Sequence, residues 1–221
     1  MGATDPLQRG NMKILKALLV LTLFGSTCSG QETMVIARMG MRNAATYHFF
    51  EAFQVHRGKW IYPDVGYIDF AKNGYWEFFI GGGAVLYDSK RFTLIHEGLI
   101  DRAQGRLSHS AMYYQPWTLF GYKLSQKVSG KTVYFPYLPL NKSARIQHVL
   151  ECSQLEYDFK HFRAGAGYGG YKYGETKWQH KPYVTWTMKA GSLGELELWL
   201  QRLPGNHVQV QIRLMKTFKK S

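Results

Sequence analysis

From position 31 onward, apolar and polar residues alternate with a period of two along much of the chain, the pattern of strands with two unlike faces. The clearest case lies near the C-terminus. Leu196, Leu198 and Leu200 alternate with Glu195, Glu197 and Gln201; Pro204-Gly205-Asn206 supplies turn chemistry; Val208, Val210, Ile212 and Leu214 then alternate with Gln209, Gln211 and Arg213. That arrangement predicts a β-hairpin. Upstream, Trp76, Phe78, Ile80, Ala84 and Leu86 share one strand face and Glu77, Gly81 and Gly83 the other, while Lys72-Asn73-Gly74 turns back to a preceding strand over 60–70.

Further strands follow the same rule. Leu155, Tyr157 and Phe159 alternate with Gln154, Glu156 and Asp158, and Val184, Trp186 and Met188 with Thr185, Thr187 and Lys189. In 162–173, Phe162, Ala164, Ala166 and Tyr168 face away from Arg163, Gly165, Gly167 and Gly169, small residues that suit a crowded inner wall. Weaker alternation marks 44–55, 91–100, 110–124, 133–138 and 145–150, the last running on into the Leu155 strand. The expectation is an all-β chain, a closed antiparallel β-barrel of about 8–10 strands. No linker divides it and no solenoid or propeller period shows, so 31–221 is read as a single domain.

In a soluble barrel the apolar set points inward; in a membrane barrel it points outward. Three features favour the membrane form: glycine clusters on the more polar faces, rings recur near strand ends (Tyr47, Trp60, Tyr75, Tyr87, Trp117, Tyr122, Tyr173 and Tyr183), and the chain nearly ends on an amphipathic strand closing with Phe218. With the strands of 44–218, the chain resembles the small outer-membrane β-barrel proteins of Gram-negative bacteria. The resemblance is architectural and rests on no family motif. It implies an outer-membrane location, lipid and lipopolysaccharide as surroundings, the barrel-assembly machinery as a partner during biogenesis, and a monomer. Leu196, Leu198, Leu200, Val208, Val210, Ile212 and Leu214 would then face lipid, and Glu77, Glu156, Asp158, Arg163, Lys189, Glu195, Glu197 and Arg213 would form a polar network in the lumen. Pro63, Pro116, Pro136 and Pro182 lie in or beside these strands; lacking an N–H, they mark strand starts or bulges.

The N-terminus adds export. Met12-Lys13-Ile14-Leu15-Lys16 opens a positive segment, 17–24 is apolar, and 25–30 is small and polar, the three-part layout of a secretory signal peptide. Residues 12–30 are read as that peptide and 1–11 as an upstream extension. Cys28 loosely resembles a lipidation site. Loss of 1–30 would leave Cys152 as the one cysteine, so no internal disulfide is expected. Composition agrees with strands: 15% of residues are aromatic and 19% charged, and 28 Lys+Arg against 15 Asp+Glu give a net charge of +13. Such a charge attracts anionic surfaces. Export turns that reading away from nucleic acid and towards lipopolysaccharide, with Lys172, Lys177, His180 and Lys181 on a facing loop.

Candidate chemistry is sparse. Mixed charge in a narrow lumen should pair with itself, because an unpaired buried charge is costly; the expected role is therefore structural or passive-transport, with a mostly filled polar interior. An alternative is a lipid A-modifying acyl hydrolase, for which Ser108, His109, Ser110 and Glu97 supply the residue types of a nucleophile, a base and its orienting acid. Sequence neighbours on a strand point to opposite faces, which works against His109 serving either serine. A second alternative is a soluble periplasmic β-protein binding an acidic or hydrophobic ligand. The eight histidines show no metal-site spacing, and Gly81-Gly82-Gly83 opens no helix and is no phosphate loop. Neither a metal nor a cofactor is expected.

Overall fold

The computed structural model describes residues 32–42, 45–55, 62–70, 74–105, 110–205 and 207–219. The proposed signal peptide, Trp60, Lys72, Asn73, Ser108, His109 and Asn206 lie outside them. Twelve strands run in chain order: β1 Glu32–Arg42, β2 Ala45–Val55, β3 Tyr62–Phe70, β4 Tyr75–Asp88, β5 Phe92–Gln104, β6 Ala111–Lys123, β7 Val128–Pro139, β8 Gln147–Asp158, β9 Phe162–Tyr173, β10 Gln179–Lys189, β11 Glu195–Leu203 and β12 His207–Lys219. Each pairs antiparallel with its chain neighbours, and β1 pairs with β12 from Glu32↔Lys219 to Arg42↔Gln209, closing the barrel. The count exceeds the expected eight to ten. In β1, Val35 and Ile36 are adjacent apolar residues on opposite faces, so the alternation that reveals the other strands is nearly flat there.

The polarity is inverted relative to a soluble barrel. Buried side chains include Glu77, Glu97, Asp101, Gln115, Gln154, Glu197, Gln201, Gln211 and Arg213, while Phe78, Ile80, Ile100, Leu155, Val184, Trp186, Leu198, Leu200, Val208, Ile212 and Leu214 are exposed. Apolar residues thus point out and polar ones in, as a bilayer-spanning barrel requires. Leu196, Leu198 and Leu200 pair across strands with Leu214, Ile212 and Val210, making a continuous apolar patch. Strands of 9 to 14 residues are long enough to cross a hydrocarbon core when tilted.

Rings gather outside near both ends of the barrel. At one end Tyr157, Phe159, Phe162 and Trp186 follow one another at centroid distances of 4.7, 4.9 and 5.0 Å, and Phe92 meets Phe120 at 4.2 Å. At the other, Tyr134 Oη lies 2.8 Å from His148 Nδ1, and Trp178 Nε1 donates to Tyr168 Oη at 2.9 Å. These resemble interfacial girdles. Tyr75, Trp117 and Tyr183 do not join them, contrary to the sequence reading: Tyr75 donates to the inward Glu77, and Trp117 and Tyr183 are buried in interior clusters. Position near a strand end does not fix which face a ring takes; parity does.

Pro63, Pro116, Pro136 and Pro182 all fall within strands. The β6–β7 ladder breaks between Tyr114↔Leu138 and Thr118↔Tyr134, the stretch that contains Pro116 and Pro136, neither of which can donate. Trp117 and Phe135 stack across the break, with centroids 3.8 Å apart and planes 2° from parallel. Side-chain stacking holds the two strands together where the ladder does not.

Candidate functional site

The lumen is the concave, polar part of the molecule, and its side chains form two regions. One spans β7 to β12 and β1. Its hub is Glu197, 1% exposed, which accepts from Lys131 Nζ (3.4 Å), Gln154 Nε2 (3.2 Å), Thr185 Oγ1 (3.3 Å) and Arg213 Nη1 (3.3 Å). Arg213 Nη2 also donates to Glu151 Oε1 at 2.6 Å, and Arg38 donates to the same oxygen. The guanidinium of Arg213 lies 4.8 Å from the centroid of Trp199, which stacks on Tyr183 at 4.2 Å and 5°. Gly167 makes room for this stack, since a Cβ there would stand 2.4 Å from Tyr183 Cζ. Arg163 grips Glu195 in a bidentate pair of 3.0 and 2.7 Å and reaches Glu156 at 3.5 Å, while Thr187 Oγ1 donates to Glu156 at 3.0 Å.

Several of these bonds cross the lumen rather than follow the wall. Round the ring β1-β12-β11-β10-β9-β8, Arg38 on β1 and Glu151 on β8 are five strands apart, one short of diametrically opposite in a ring of twelve. Lys131 on β7 and Glu197 on β11 are four apart. A bulge makes the longer reach possible. The β8–β9 register shifts between Leu150 and Ser153, so that Glu151, which meets Arg38 and Arg213, and Cys152, which is buried beside Tyr183 and Trp199, both turn to the interior. Gln147 and Val149 share the inward parity before the bulge, and Gln154 and Glu156 after it.

The second region spans β2 to β7. Phe79, Leu99, Ala103, Tyr113, Trp117, Phe135 and Tyr137 pack together with Ala144, which the loop after β7 folds in at the barrel mouth. Asn141 ties that loop down, its Nδ2 donating to Ser110 O at 2.9 Å and its Oδ1 accepting from Met112 N at 3.3 Å. Carboxylates sit beside the rings: Glu77 accepts from Tyr137 Oη at 3.0 Å and from Tyr75, and Glu51, Asp64 and Glu97 stand together.

Of the residues expected in the lumen, Glu77, Glu156, Glu197 and Arg213 are buried there, and Arg163 and Glu195 pair with each other at partial exposure. Asp158 and Lys189 lie at strand ends instead. Asp158 Oδ1 accepts from Lys160 N at 2.8 Å in the turn, and Lys189 is exposed. Each ends a strand where the polar face meets solvent, which relieves it of an interior partner. The acyl-hydrolase residues that are described do not meet. Glu97 pairs in register with Trp117, whereas Ser110 adjoins the Ala103↔Ala111 end of the same ladder and accepts from Arg102. Six residues of strand separate those pairs, roughly 20 Å.

Residues the sequence reading passed over complete the lumen: Arg38, Glu51, Asp64, Asp101, Lys131 and Glu151. A lone charge inside an aromatic or aliphatic strand was the available signal for Glu51 and Arg38. No signal in a linear reading marks Glu151, whose inward aim depends on the bulge.

No protein-family model matches this chain, and no curated protein sequence matches it. Solved structures do. The KdgM porin superposes with a TM-score of 0.56 at 12% identity, covering 85% of this chain and 99% of that one. The same porin in complex with disordered oligogalacturonate gives 0.57. The NanC porin gives 0.58 at 10% identity, covering 85% of this chain and 100% of that one. At such identities the likeness establishes the fold alone, a closed antiparallel β-barrel.

Proposed function

We propose that this chain is an outer-membrane barrel that passes small hydrophilic solutes passively through a lumen narrowed by its own ion pairs. The observation that carries the reading is the Arg38–Glu151–Arg213 bridge, which runs between nearly opposite walls of a barrel whose polar residues point in. Apolar residues outward and ring girdles near both ends support a bilayer location, and the porin fold supports a transport role. Leu196, Leu198, Leu200, Val208, Val210, Ile212 and Leu214 meet lipid tails, and Lys177 and His180 near one rim meet anionic head groups. Arg38, Lys131 and Arg213, held in ion pairs with Glu151 and Glu197, give a passing polar solute a charged wall.

Planar-bilayer recording tests this. Wild-type protein should give small current steps, and the Arg38→Ala, Glu151→Ala double variant, which removes the two side chains that meet across the lumen and leaves Arg213 paired with Glu197, should give severalfold larger ones. Equal steps in the two proteins would count against the bridge as the constriction. Absence of steps from both would leave a structural role.

A further inference from the structure

We propose that Glu51, Asp64 and Glu97 form a divalent-cation site on the inner wall of the barrel, with calcium as its preferred ion. The three carboxylates come from three strands, β2, β3 and β5, and each offers an oxygen within 4.8 Å of the other two. Oxygens sharing one calcium at its usual ligand distance lie at most about 5 Å apart, so the trio lies within the span that one ion can bridge. All three residues are buried, at 8%, 1% and 2% exposure. Neither carboxylate oxygen of Asp64 has a hydrogen-bond partner. Three carboxylates in so small a space repel one another, and burial removes the water that would screen them. A cation seated among them satisfies Asp64 and cancels the repulsion.

The wall is shaped for this meeting. Asp64 pairs in register with Gly81, and Glu97 with Gly83, on the intervening strand β4. Since 81 and 83 share the inward parity of Glu77 and Phe79, β4 presents no side chain between Asp64 and Glu97, and the two can reach across it. A Cβ at Gly81 would stand 2.0 Å from Gly98 O, so this gap cannot be filled without moving backbone. Opposite Glu51 lies Gly66, whose missing Cβ leaves space for the Phe79 ring. Gly81-Gly82-Gly83 thus gains a purpose that its sequence context did not suggest. An all-oxygen, all-anionic donor set selects a hard cation over zinc or copper, and the tolerance of calcium for irregular shells suits it better than the strict octahedron of magnesium.

This inference requires only the closed barrel and is independent of conduction: a calcium-binding barrel that carries no current would sink the transport reading and leave this one standing. The test uses full-length protein refolded in detergent free of lipopolysaccharide, stripped with EDTA and titrated with calcium chloride by calorimetry. One calcium per chain should bind, with a Kd on the order of 10⁻⁴ M as in extracellular calcium modules. Asp64→Asn and Glu97→Gln should each weaken binding by about tenfold or more, because ligand charge sets affinity. Asp101→Asn, at another buried carboxylate without hydrogen-bond partners outside the trio, should leave binding unchanged. Should the variants not fold, the wild type alone decides: its thermal midpoint should rise with calcium over EDTA, and by less with magnesium. No saturable binding and no shift in the wild type, as expected if the carboxyls merely share protons, would overturn the site. So would equal binding by folded Asp64→Asn and wild type.

Discussion

Glu151→Ala should destabilise the folded barrel by roughly 3 kcal/mol, the lower end of what breaking a buried ion pair costs. The loss follows from what remains: Arg38 and Arg213, both converging on Glu151 Oε1, would face each other without the carboxylate between them. Their side chains are 11% and 9% exposed, so lumen water relieves only part of the repulsion. Urea unfolding of liposome-refolded protein, followed by tryptophan fluorescence, measures it. Adding Arg38→Ala should recover part of the loss, since residues in one network are not additive. Single-variant losses that add within about 0.5 kcal/mol would mean that these charges do not act as one bridge.

On the outer face, Leu198→Arg should cost about 2 to 4 kcal/mol in the same assay. Leu198 lies near the middle of β11, 43% exposed, between Trp186 on β10 and Ile212 on β12. If that surface faced water, an arginine there would change stability by no more than about 0.5 kcal/mol. Val208→Arg, at an outward position beside the start of β12 and 54% exposed, should cost about 1 kcal/mol or less, because the penalty falls towards the interface. A uniform penalty at both positions, or none at either, would contradict the depth profile of a bilayer.

The hairpin β11–β12 was legible residue by residue, because its inward positions are Glu, Gln and Arg, its outward positions Leu, Val and Ile, and Pro204-Gly205-Asn206 marks the turn. Strand β1 was not, because apolar Val35 and Ile36 fall on opposite faces. Period-two reading also assumes an unbroken pleat. The bulge in β8 breaks it and hides Glu151, the acceptor at the centre of the cross-lumen bridge. Trp117 and Tyr183 were placed by their nearness to strand ends, whereas the stacking partners that draw them inward, Phe135 and Trp199, lie on other strands. The trio of Glu51, Asp64 and Glu97 was beyond a linear reading for a similar reason. Its members are far apart in sequence and meet only once β2 to β5 are laid side by side, although the glycines of β4 were visible as an unexplained run.

The central claim, that the apolar face lies in lipid and the polar face lines the lumen, is tested most directly by single cysteines at 198, 200, 201 and 209 in a Cys28→Ser, Cys152→Ser background. Each is labelled with a fluorophore and the folded protein is placed in vesicles whose lipid tails carry a quencher. Leu198 and Leu200 are exposed outward, and Gln201 and Gln209 are buried inward. Strong quenching at 198 and 200 with little at 201 and 209 is the result expected from the pleat; equal quenching at all four positions, or none at any, would contradict the membrane barrel.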